Sequence, residues 1–235
     1  MTPNQRPVRD GRVALVTGAN RGIGREVVRQ LLDHGLRTIL TARDEDRGRR
    51  AATDLGAEFL QLDVSDEDSI DRCFRTVDET YRRLDVLINN AAIHYDAWQR
   101  GVDADLGVTH EAFETNLFGA WRTCQKSLPL MGRNGWGRIV NVSSQGGSLA
   151  SMGGGTPAYS VSKAALNALT RVLARELAGS GILVNSVCPG WVATDMGGSG
   201  GRPVGEGAAS VMWAVLLDDD GPTGGFFRDG RPLPW

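Results

Sequence analysis

A tyrosine and a lysine four residues apart are the most informative feature of this sequence. The chain has three tyrosines, and only two of its 26 basic residues are lysines, yet Tyr159 and Lys163 bring both rare types together. At that spacing two side chains share one face of a helix. A neighbouring ammonium can lower the pKa of a phenol below its usual value of about 10, which would let tyrosine act as an acid catalyst near neutral pH. The pair therefore predicts proton transfer to a substrate, although a chance pair on a surface helix is the plain alternative.

A glycine-rich turn near the start of the chain predicts a phosphate-binding site. Thr17-Gly18-Ala19-Asn20-Arg21-Gly22-Ile23-Gly24 joins an apolar run to a segment with helical periodicity. Glycines let backbone amides approach a pyrophosphate, and a helix N-terminus adds partial positive charge. The spacing differs from the usual G-x-G-x-x-G, and any strand-to-helix turn can require glycine. The residues expected to contact a dinucleotide here are Gly18, Asn20, Arg21, Gly22, Ile23 and Gly24.

The end of the second predicted strand indicates which dinucleotide binds. An NAD site usually has an acidic residue there, which holds the ribose 2′-hydroxyl, but this chain has Arg43. Arg43 and Arg21 together could bind a 2′-phosphate. The sequence thus favours NADP(H) over NAD, with Asp44 or Glu45 meeting a hydroxyl as the alternative.

Two further strand ends carry candidate cofactor contacts. Asp63 and Val64 follow the third strand, and Asp63 could accept a hydrogen bond from an adenine amino group. An aspartate there is also a common helix cap. Asn90 and Ala91 follow the fourth strand, where small residues would let a cofactor lie against the backbone; a plain loop would look the same.

These motifs fall on a chain in which strands and helices alternate. Strands are predicted over 12–17, 38–41, 58–62, 85–88, 138–142, 182–187 and 225–227, and helices over 22–34, 44–55, 65–83, 109–131, 157–178 and 205–217. The alternation predicts an α/β fold: a single-domain, Rossmann-like, doubly wound parallel sheet of about seven strands with helices on both faces. Ligands of such sheets bind beyond the carboxyl ends of the strands, where the motifs lie.

The remaining organisation is simple. Residues 1–11 are expected to be a flexible tail, and 12–235 one catalytic domain. A glycine-rich stretch over 197–201 suggests a mobile substrate loop near 193–206.

Composition excludes several classes of protein. A hydrophobic fraction of 41%, a charged fraction of 23% and a formal net charge of −2 are ordinary for a globular protein and suggest neither nucleic acid nor a membrane as partner. No apolar run approaches the roughly 20 residues of a membrane span. Cys73, Cys124 and Cys188 are unclustered, which favours reduced thiols in a cytoplasmic protein and no metal site.

Taken together, the motifs resemble those of the short-chain dehydrogenase/reductase family. The glycine turn, Asp63, Asn89-Asn90-Ala91, Asn116, Ser144, Tyr159, Lys163 and Pro189-Gly190 occur in the family order. Thr41-Ala42-Arg43-Asp44, Asn141-Val142-Ser143-Ser144 and the segment 188–196 are similar to NADPH-dependent carbonyl reductases. Two features depart from the pattern: Ala92 replaces a usual glycine, and the segment from Ser144 to Tyr159 lacks the long insertion of the animal monomeric carbonyl reductases.

The resemblance implies a role for each candidate catalytic residue. Tyr159 would donate the proton, and Lys163 would lower the pKa of Tyr159 and hold the nicotinamide ribose. Ser144 would polarise the substrate oxygen; Ser143 is the alternative, since neighbours on a strand point to opposite faces. Asn116 would hold a water molecule that relays protons to Lys163.

The loop after the sixth strand completes the expected site. Pro189, Gly190, Val192 and Thr194 would contact the nicotinamide end of the cofactor. Candidate substrate contacts, each of which could instead be ordinary packing, are Tyr95, Trp98, Gln145, Trp191 and Met196. Their apolar and aromatic character suits a hydrophobic ketone or aldehyde.

The resulting hypothesis is NADPH-dependent reduction of ketones or aldehydes. Reduction of a 3-ketoacyl thioester would use the same residues, and a protein that binds NADP(H) without turnover is the alternative from another class. Family members without the insertion commonly pair through the helices bearing Asn116 and Tyr159, so a homodimer or homotetramer is expected.

Overall fold

The computed structural model describes residues 11–235. The predicted tail, apart from Gly11, lies outside the described residues.

One mixed, mainly parallel sheet contains all the strands of the described chain. Its strands are β1 (Val13–Val16), β2 (Arg37–Ala42), β3 (Glu58–Gln61), β4 (Val86–Asn89), β5 (Gly137–Val142), β6 (Ile182–Val187), β7 (Phe226–Arg228) and β8 (Arg231–Pro232). They lie in the order β3-β2-β1-β4-β5-β6-β7-β8. Every neighbouring pair is parallel except β7 and β8. The predicted doubly wound parallel sheet is therefore confirmed, with one short antiparallel strand, β8, that the sequence analysis did not predict.

The helices cover both faces of this sheet. They are α1 (Gly22–Asp33), α2 (Glu45–Leu55), α3 (Glu67–Tyr81), α4 (Leu106–Phe113), α5 (Ala120–Gly132), α6 (Pro157–Glu176) and α7 (Val204–Val215). Neighbouring residues of β1 point to opposite faces of the sheet. Ala14 and Val16 pack with α1, α2 and α7 on one face. Val13 and Leu15 pack with α3, α5 and α6. Both faces are thus buried, which explains why the strands are continuous apolar runs.

The long helix predicted over 109–131 has a different internal structure. It begins at Leu106, because the Asp105 carboxylate accepts a hydrogen bond from the Gly107 amide at 2.8 Å and caps the helix. Between α4 and α5, residues Glu114–Gly119 form a π-helical segment. A wider turn of this kind is common at functional sites, and this one contains Asn116.

The third predicted helix also begins later than expected. Asp66, not Ser65, is its N-terminal cap, and its carboxylate accepts from the Asp68 amide at 2.9 Å. Glu67 and Asp68 make the first turn of α3 acidic, which suits the positive end of a helix.

The strand order reverses between β1 and β4, whose carboxyl ends lie side by side. In an open α/β sheet this position leaves a crevice. The turns after β1 through β6 therefore converge there, and they carry nearly all the candidate residues. In the described part of the chain, no helix is long and apolar enough to cross a membrane. No cluster of potential metal ligands was found among these residues either.

Candidate active site

A cleft of about 440 Å³ opens at the point where the strand order reverses. Most of the predicted site residues line it: Gly18, Asn20, Arg21, Gly22, Ile23, Gly24, Arg43, Asp63, Val64, Asn90, Ala91, Tyr159, Lys163, Pro189, Thr194 and Met196. The predicted residues that do not line it are Asn116, Ser144, Gly190, Val192, Tyr95, Trp98, Gln145 and Trp191. Ser143, the predicted alternative to Ser144, also lines it. The lining residues that sequence reasoning missed are Leu62, Ala92, Ile93, Thr115, Val142, Ala193, Asp195 and Val204.

The glycine turn is hydrogen-bonded to the residue that follows β4. The Asn90 side-chain amide donates to the carbonyl oxygens of Thr17 at 2.9 Å and Gly18 at 3.1 Å. A Cβ on Gly24 would lie 2.5 Å from that amide nitrogen, and a Cβ on Gly18 would lie 2.9 Å from the Ala91 Cα. Gly18 also has a φ of +62°. The protein's own packing therefore requires these glycines, whatever the turn binds.

Two arginines, Arg21 and Arg43, line the cleft. The Arg21 guanidinium pairs with the Asp195 carboxylate at 2.7 Å, and both side chains are largely exposed. Asp44 caps α2 by accepting from the Arg47 amide at 2.9 Å, and Glu45 forms hydrogen bonds with Arg49. The two carboxylates that could have met a ribose hydroxyl are thus engaged within α2.

Asp63 stabilises its own turn. Its carboxylate accepts from the Ser65 amide at 3.0 Å and the Ser65 hydroxyl at 2.6 Å. It is not the cap of α3. Both Asp63 and Val64 still face the cleft.

Tyr159 and Lys163 lie on the first turns of α6 and are almost completely buried. The Lys163 ammonium donates to the Val142 carbonyl oxygen at 2.7 Å and lies 5.7 Å from the centroid of the Tyr159 ring. Burial lowers the pKa of Lys163 to about 8, because a charged ammonium is poorly solvated there.

Burial has the opposite effect on the phenol. It raises the pKa of Tyr159 to about 12, and a hydrogen bond with Ser144 offsets only part of that rise. Burial is thus the largest effect on the pKa of Tyr159, and the lowered pKa expected from the neighbouring lysine is not found. The phenol keeps its proton at neutral pH.

The two adjacent serines have distinct contacts. Ser143 is buried at the cleft wall and its hydroxyl donates to the Lys163 carbonyl oxygen at 3.5 Å. Ser144 caps the short 3₁₀ turn Gln145–Gly147, where its oxygen accepts from the Gly146 amide at 3.1 Å. Of the two serines, Ser144 is the one whose side chain lowers the pKa of Tyr159, which favours Ser144 as the partner of the phenol.

Asn116 holds the loop that follows β4. Its side-chain oxygen accepts from the Ile93 amide at 2.9 Å, and its amide nitrogen donates to the Ile93 carbonyl at 3.2 Å and the Ser162 hydroxyl at 3.0 Å. The buried side chain thus ties the π-helical segment to both Ile93 and α6.

Most of the candidate substrate contacts surround the cleft without lining it. Tyr95 packs edge-on against the Tyr159 ring, with centroids 5.3 Å apart and an interplanar angle of 75°. Gln145 accepts from Arg228 at 2.7 Å, and Trp98 is largely exposed. Met196 alone among the five candidates lines the cleft.

The Trp191 indole has a structural role in its loop. It donates to the Gly197 carbonyl oxygen at 2.7 Å, and a Cβ on Gly200 would lie 2.9 Å from its ring. The glycine-rich stretch therefore folds back on Trp191. The loop ends where α7 begins at Val204, slightly before the predicted boundary.

Sheet order, cleft position and glycine turn together define a Rossmann-like α/β protein. A family model described as short chain dehydrogenase matches residues 12–202, and the chain belongs to that family. It is therefore an oxidoreductase.

Individual relatives are similar along most of the chain. The (+)-neomenthol dehydrogenase of Arabidopsis thaliana is 36% identical, with 92% of this chain and 95% of that protein covered. Carbonyl reductase (NADPH) 1 of Bos taurus is 35% identical, with 95% and 98% covered. The structure of an NADPH-bound carbonyl reductase from chicken fatty liver is 30% identical with a TM-score of 0.87, covering 97% of this chain and 100% of that one.

The bovine relative is longer than this chain. The match to the bovine protein extends over 278 positions, whereas 95% of 235 residues is about 223, so about 55 of its positions have no counterpart here.

Proposed function

We propose that this protein reduces ketone or aldehyde carbonyls to alcohols with NADPH as the hydride donor. The observation that carries the proposal is that Tyr159 and Lys163 share one cleft with the glycine turn and with Arg21 and Arg43. The similarity to a carbonyl reductase named for NADPH supports the same cofactor.

The lining of the cleft fits a dinucleotide with a 2′-phosphate. The glycine turn would bind the pyrophosphate at the start of α1, because the first amides of a helix have no partner within the helix and carry partial positive charge. Arg21 and Arg43 would bind the 2′-phosphate, and Asp63 and Val64 would contact the adenine.

The nicotinamide half would lie nearer Tyr159. Asn90 and Ala91 would support it from the end of β4. Lys163 would hold its ribose hydroxyls, and the segment with Pro189, Gly190, Val192 and Thr194 would contact the carboxamide. When bound, NADPH supplies the hydride.

The protein residues would then control the proton and the charge on the substrate oxygen. Tyr159, protonated at neutral pH, would donate its hydroxyl hydrogen to that oxygen as negative charge develops there. Ser144, hydrogen-bonded to the phenol, would donate to the same oxygen. Lys163 would stabilise the resulting tyrosinate, and a water molecule held near Asn116 would return a proton through the lysine.

The side chains around Tyr159 suit an apolar substrate. Met196 lines the cleft, and Tyr95 packs on the Tyr159 ring. Trp98, Gln145 and Trp191 lie on loops at the same end of the sheet and would meet only larger substrates.

A carbonyl panel tests this proposal against its alternatives. NADPH oxidation would be measured with aldehydes, free ketones and 3-ketoacyl thioesters under identical conditions. We expect turnover of free ketones or aldehydes. Turnover of thioesters alone would replace the proposal with a ketoacyl thioester reductase, and tight NADPH binding without turnover would replace it with a cofactor-sensing protein.

We further propose that residues 12–235 act as one catalytic domain in a cytoplasmic homodimer or homotetramer. The exposed aromatic side chains of Phe118 and Trp121, near Asn116 in the chain, support this assembly. Light scattering in solution would measure it.

A further inference from the structure

The start of α6 lacks the local cap that its sequence position would normally supply. The amides of its first turn have no partner within the helix and need an acceptor from elsewhere. Thr156, which precedes the helix, has a left-handed backbone with a φ of 47° and makes no side-chain cap. Its hydroxyl instead forms a hydrogen bond with the Ser160 hydroxyl at 2.9 Å.

A distant carboxylate takes the place of that cap. One oxygen of Asp96 accepts from the Ala158 amide at 2.9 Å, and the other accepts from the Tyr159 amide at 3.0 Å. The Asp96 side chain is 0% exposed. A buried carboxylate is tolerated only when its oxygens are bonded, and the positive end of a helix is a favourable place for it.

Asp96 also belongs to the segment that faces the reacting phenol. Tyr95, the preceding residue, packs its ring edge-on against Tyr159. Ile93, three residues before Asp96, lines the cleft. Asn116 forms hydrogen bonds with both the backbone amide and the backbone carbonyl of Ile93. The segment from Ile93 to Asp96 is thus bound to the π-helical segment at one end and to the Tyr159 backbone at the other.

We propose that Asp96 is a positioning residue that sets the place of the Tyr159 hydroxyl relative to the cleft. The inference rests on the proposed role of Tyr159 as proton donor. A side-chain cap supplied by the residue just before the helix would bond the same amides, but it would not tie the helix to the loop that lines the cleft. The remote cap therefore couples the orientation of Tyr159 to the β4 loop.

The test compares two isosteric substitutions of buried aspartates. Asp96→Asn replaces one accepting oxygen with an NH₂ group that opposes a backbone N–H. Asp85→Asn is the matched control, because Asp85 is also 0% exposed and accepts from the Val13 amide at 2.8 Å, but at the opposite end of the strands. For each variant one would measure kcat per folded molecule, the Kd for NADPH, and the deuterium isotope effect on kcat with 4-deuterated NADPH.

We expect kcat of Asp96→Asn to fall about tenfold to hundredfold, the range that a misplacement of about 1 Å can produce. The isotope effect should rise because the chemical step becomes rate-limiting, while NADPH affinity stays within about twofold. Asp85→Asn should lose stability but keep the wild-type kcat. A wild-type kcat in Asp96→Asn, or an equal loss of kcat in both variants, would overturn the inference.

Amide hydrogen exchange separates this inference from the proposed function. In the wild-type protein the Ala158 and Tyr159 amides should be as protected as the interior of α6, despite lying in its first turn. Fast exchange there would refute the inference even if Asp96→Asn did not fold. If the wild type reduces no carbonyl at all, the proposed function and the catalytic role of Asp96 both fail, and exchange still decides whether the cap exists.

Discussion

Single residues in the cleft owe their chemistry to burial as much as to residue type. Taking Tyr159 and Lys163 out of water disfavours the charged form of each. The pKa of Tyr159 therefore rises to about 12, and that of Lys163 falls to about 8. The Tyr159 phenol therefore stays protonated at neutral pH, whereas the Lys163 ammonium loses its proton just above neutral pH.

The lowered pKa of Lys163 predicts an alkaline limit to activity. Below a pH of about 8 the ammonium is charged and can stabilise a tyrosinate; above it the charge is lost, so kcat/KM for the carbonyl should fall by about tenfold per pH unit. Tyr159 stays protonated throughout, so it does not add to the fall. Initial rates of NADPH oxidation from pH 6 to about 10 measure this profile.

Lys163→Arg is the control for that profile. The variant should lose most of its activity, because a guanidinium has a different shape and donor geometry. Its residual rate should not fall near pH 8, since arginine keeps its charge. A wild-type profile that stays flat through pH 9 would contradict the role given to Lys163.

Arg43 should determine the preference between the two nicotinamide cofactors. Arg43→Asp removes a charged hydrogen-bond donor worth about 1.5–3 kcal/mol, so the ratio of kcat/KM for NADPH to that for NADH should fall at least about tenfold. The matched control is Arg50→Asp, which makes the same charge change on the exposed side of α2, away from the cleft. An unchanged ratio in Arg43→Asp, or an equal change in both variants, would exclude the 2′-phosphate role.

Local spacing made some of these residues predictable and left others hidden. Tyr159 and Lys163 are four residues apart on a helix, so their proximity follows from helical geometry. Asp96 is 63 positions from Tyr159 and reaches it only through the packing of a loop on α6. Asp195 reaches Arg21 in the same long-range way. A single sequence contains no local signal for either contact.

Among the elements, the π-helical segment between α4 and α5 contacts two of the loops that line the cleft. It places Asn116 against Ile93 and brings Gly119 so close to the end of β3 that a Cβ there would lie 2.6 Å from the Val64 carbonyl oxygen. The helix that follows β4 is thereby held against the turn that carries Asp63 and Val64.

That close approach predicts a difference between two glycines of this helical region. Gly119→Ala should lower the free energy of unfolding by about 1–3 kcal/mol, the usual penalty for overpacking. Gly132→Ala, at the end of α5 with nothing within 4 Å of a Cβ, should leave stability unchanged or raise it by up to about 1 kcal/mol. Chemical denaturation of both variants measures the difference, and equal stabilities would contradict the described contact.

Helix ends and interruptions were the weakest part of the prediction. The apolar periodicity of 109–131 predicts a helix there but contains no sign of the π-helical segment, because the extra residue changes the turn without changing residue type. Asp105 and Asp66 are of a residue type that commonly caps helices, but the apolar periodicity alone does not mark them as caps. The strand β8, with only two residues, is too short to show a period.

On the scale of the whole molecule, two cores pack on opposite faces of one sheet. The central strands therefore need apolar side chains on both faces of the sheet. This requirement explains the short continuous apolar runs in the sequence. The fold could be predicted because this pattern repeats at β1, β2, β4 and β6. The cleft then follows from strand order, since the residues that line it are turn residues at the carboxyl edge.

The three thiols of the chain are shielded from solvent. Cys73, Cys124 and Cys188 are all buried and unpaired, and burial raises the pKa of Cys73 and of Cys124 to about 12. We expect an aromatic disulfide reagent to modify none of them in the folded protein and all three after unfolding, and reducing agents to leave the melting temperature unchanged. Rapid labelling of the native protein would show that this packing is wrong.

The proton donated by Tyr159 is the central claim, and Tyr159→Phe tests it most directly. The substitution removes one buried hydroxyl and leaves the glycine turn and both arginines in place. We expect kcat for carbonyl reduction to fall by at least about a hundredfold, while the Kd for NADPH, measured by fluorescence titration, stays within about twofold of wild type. Carbonyl reduction by Tyr159→Phe at the wild-type rate would contradict the account.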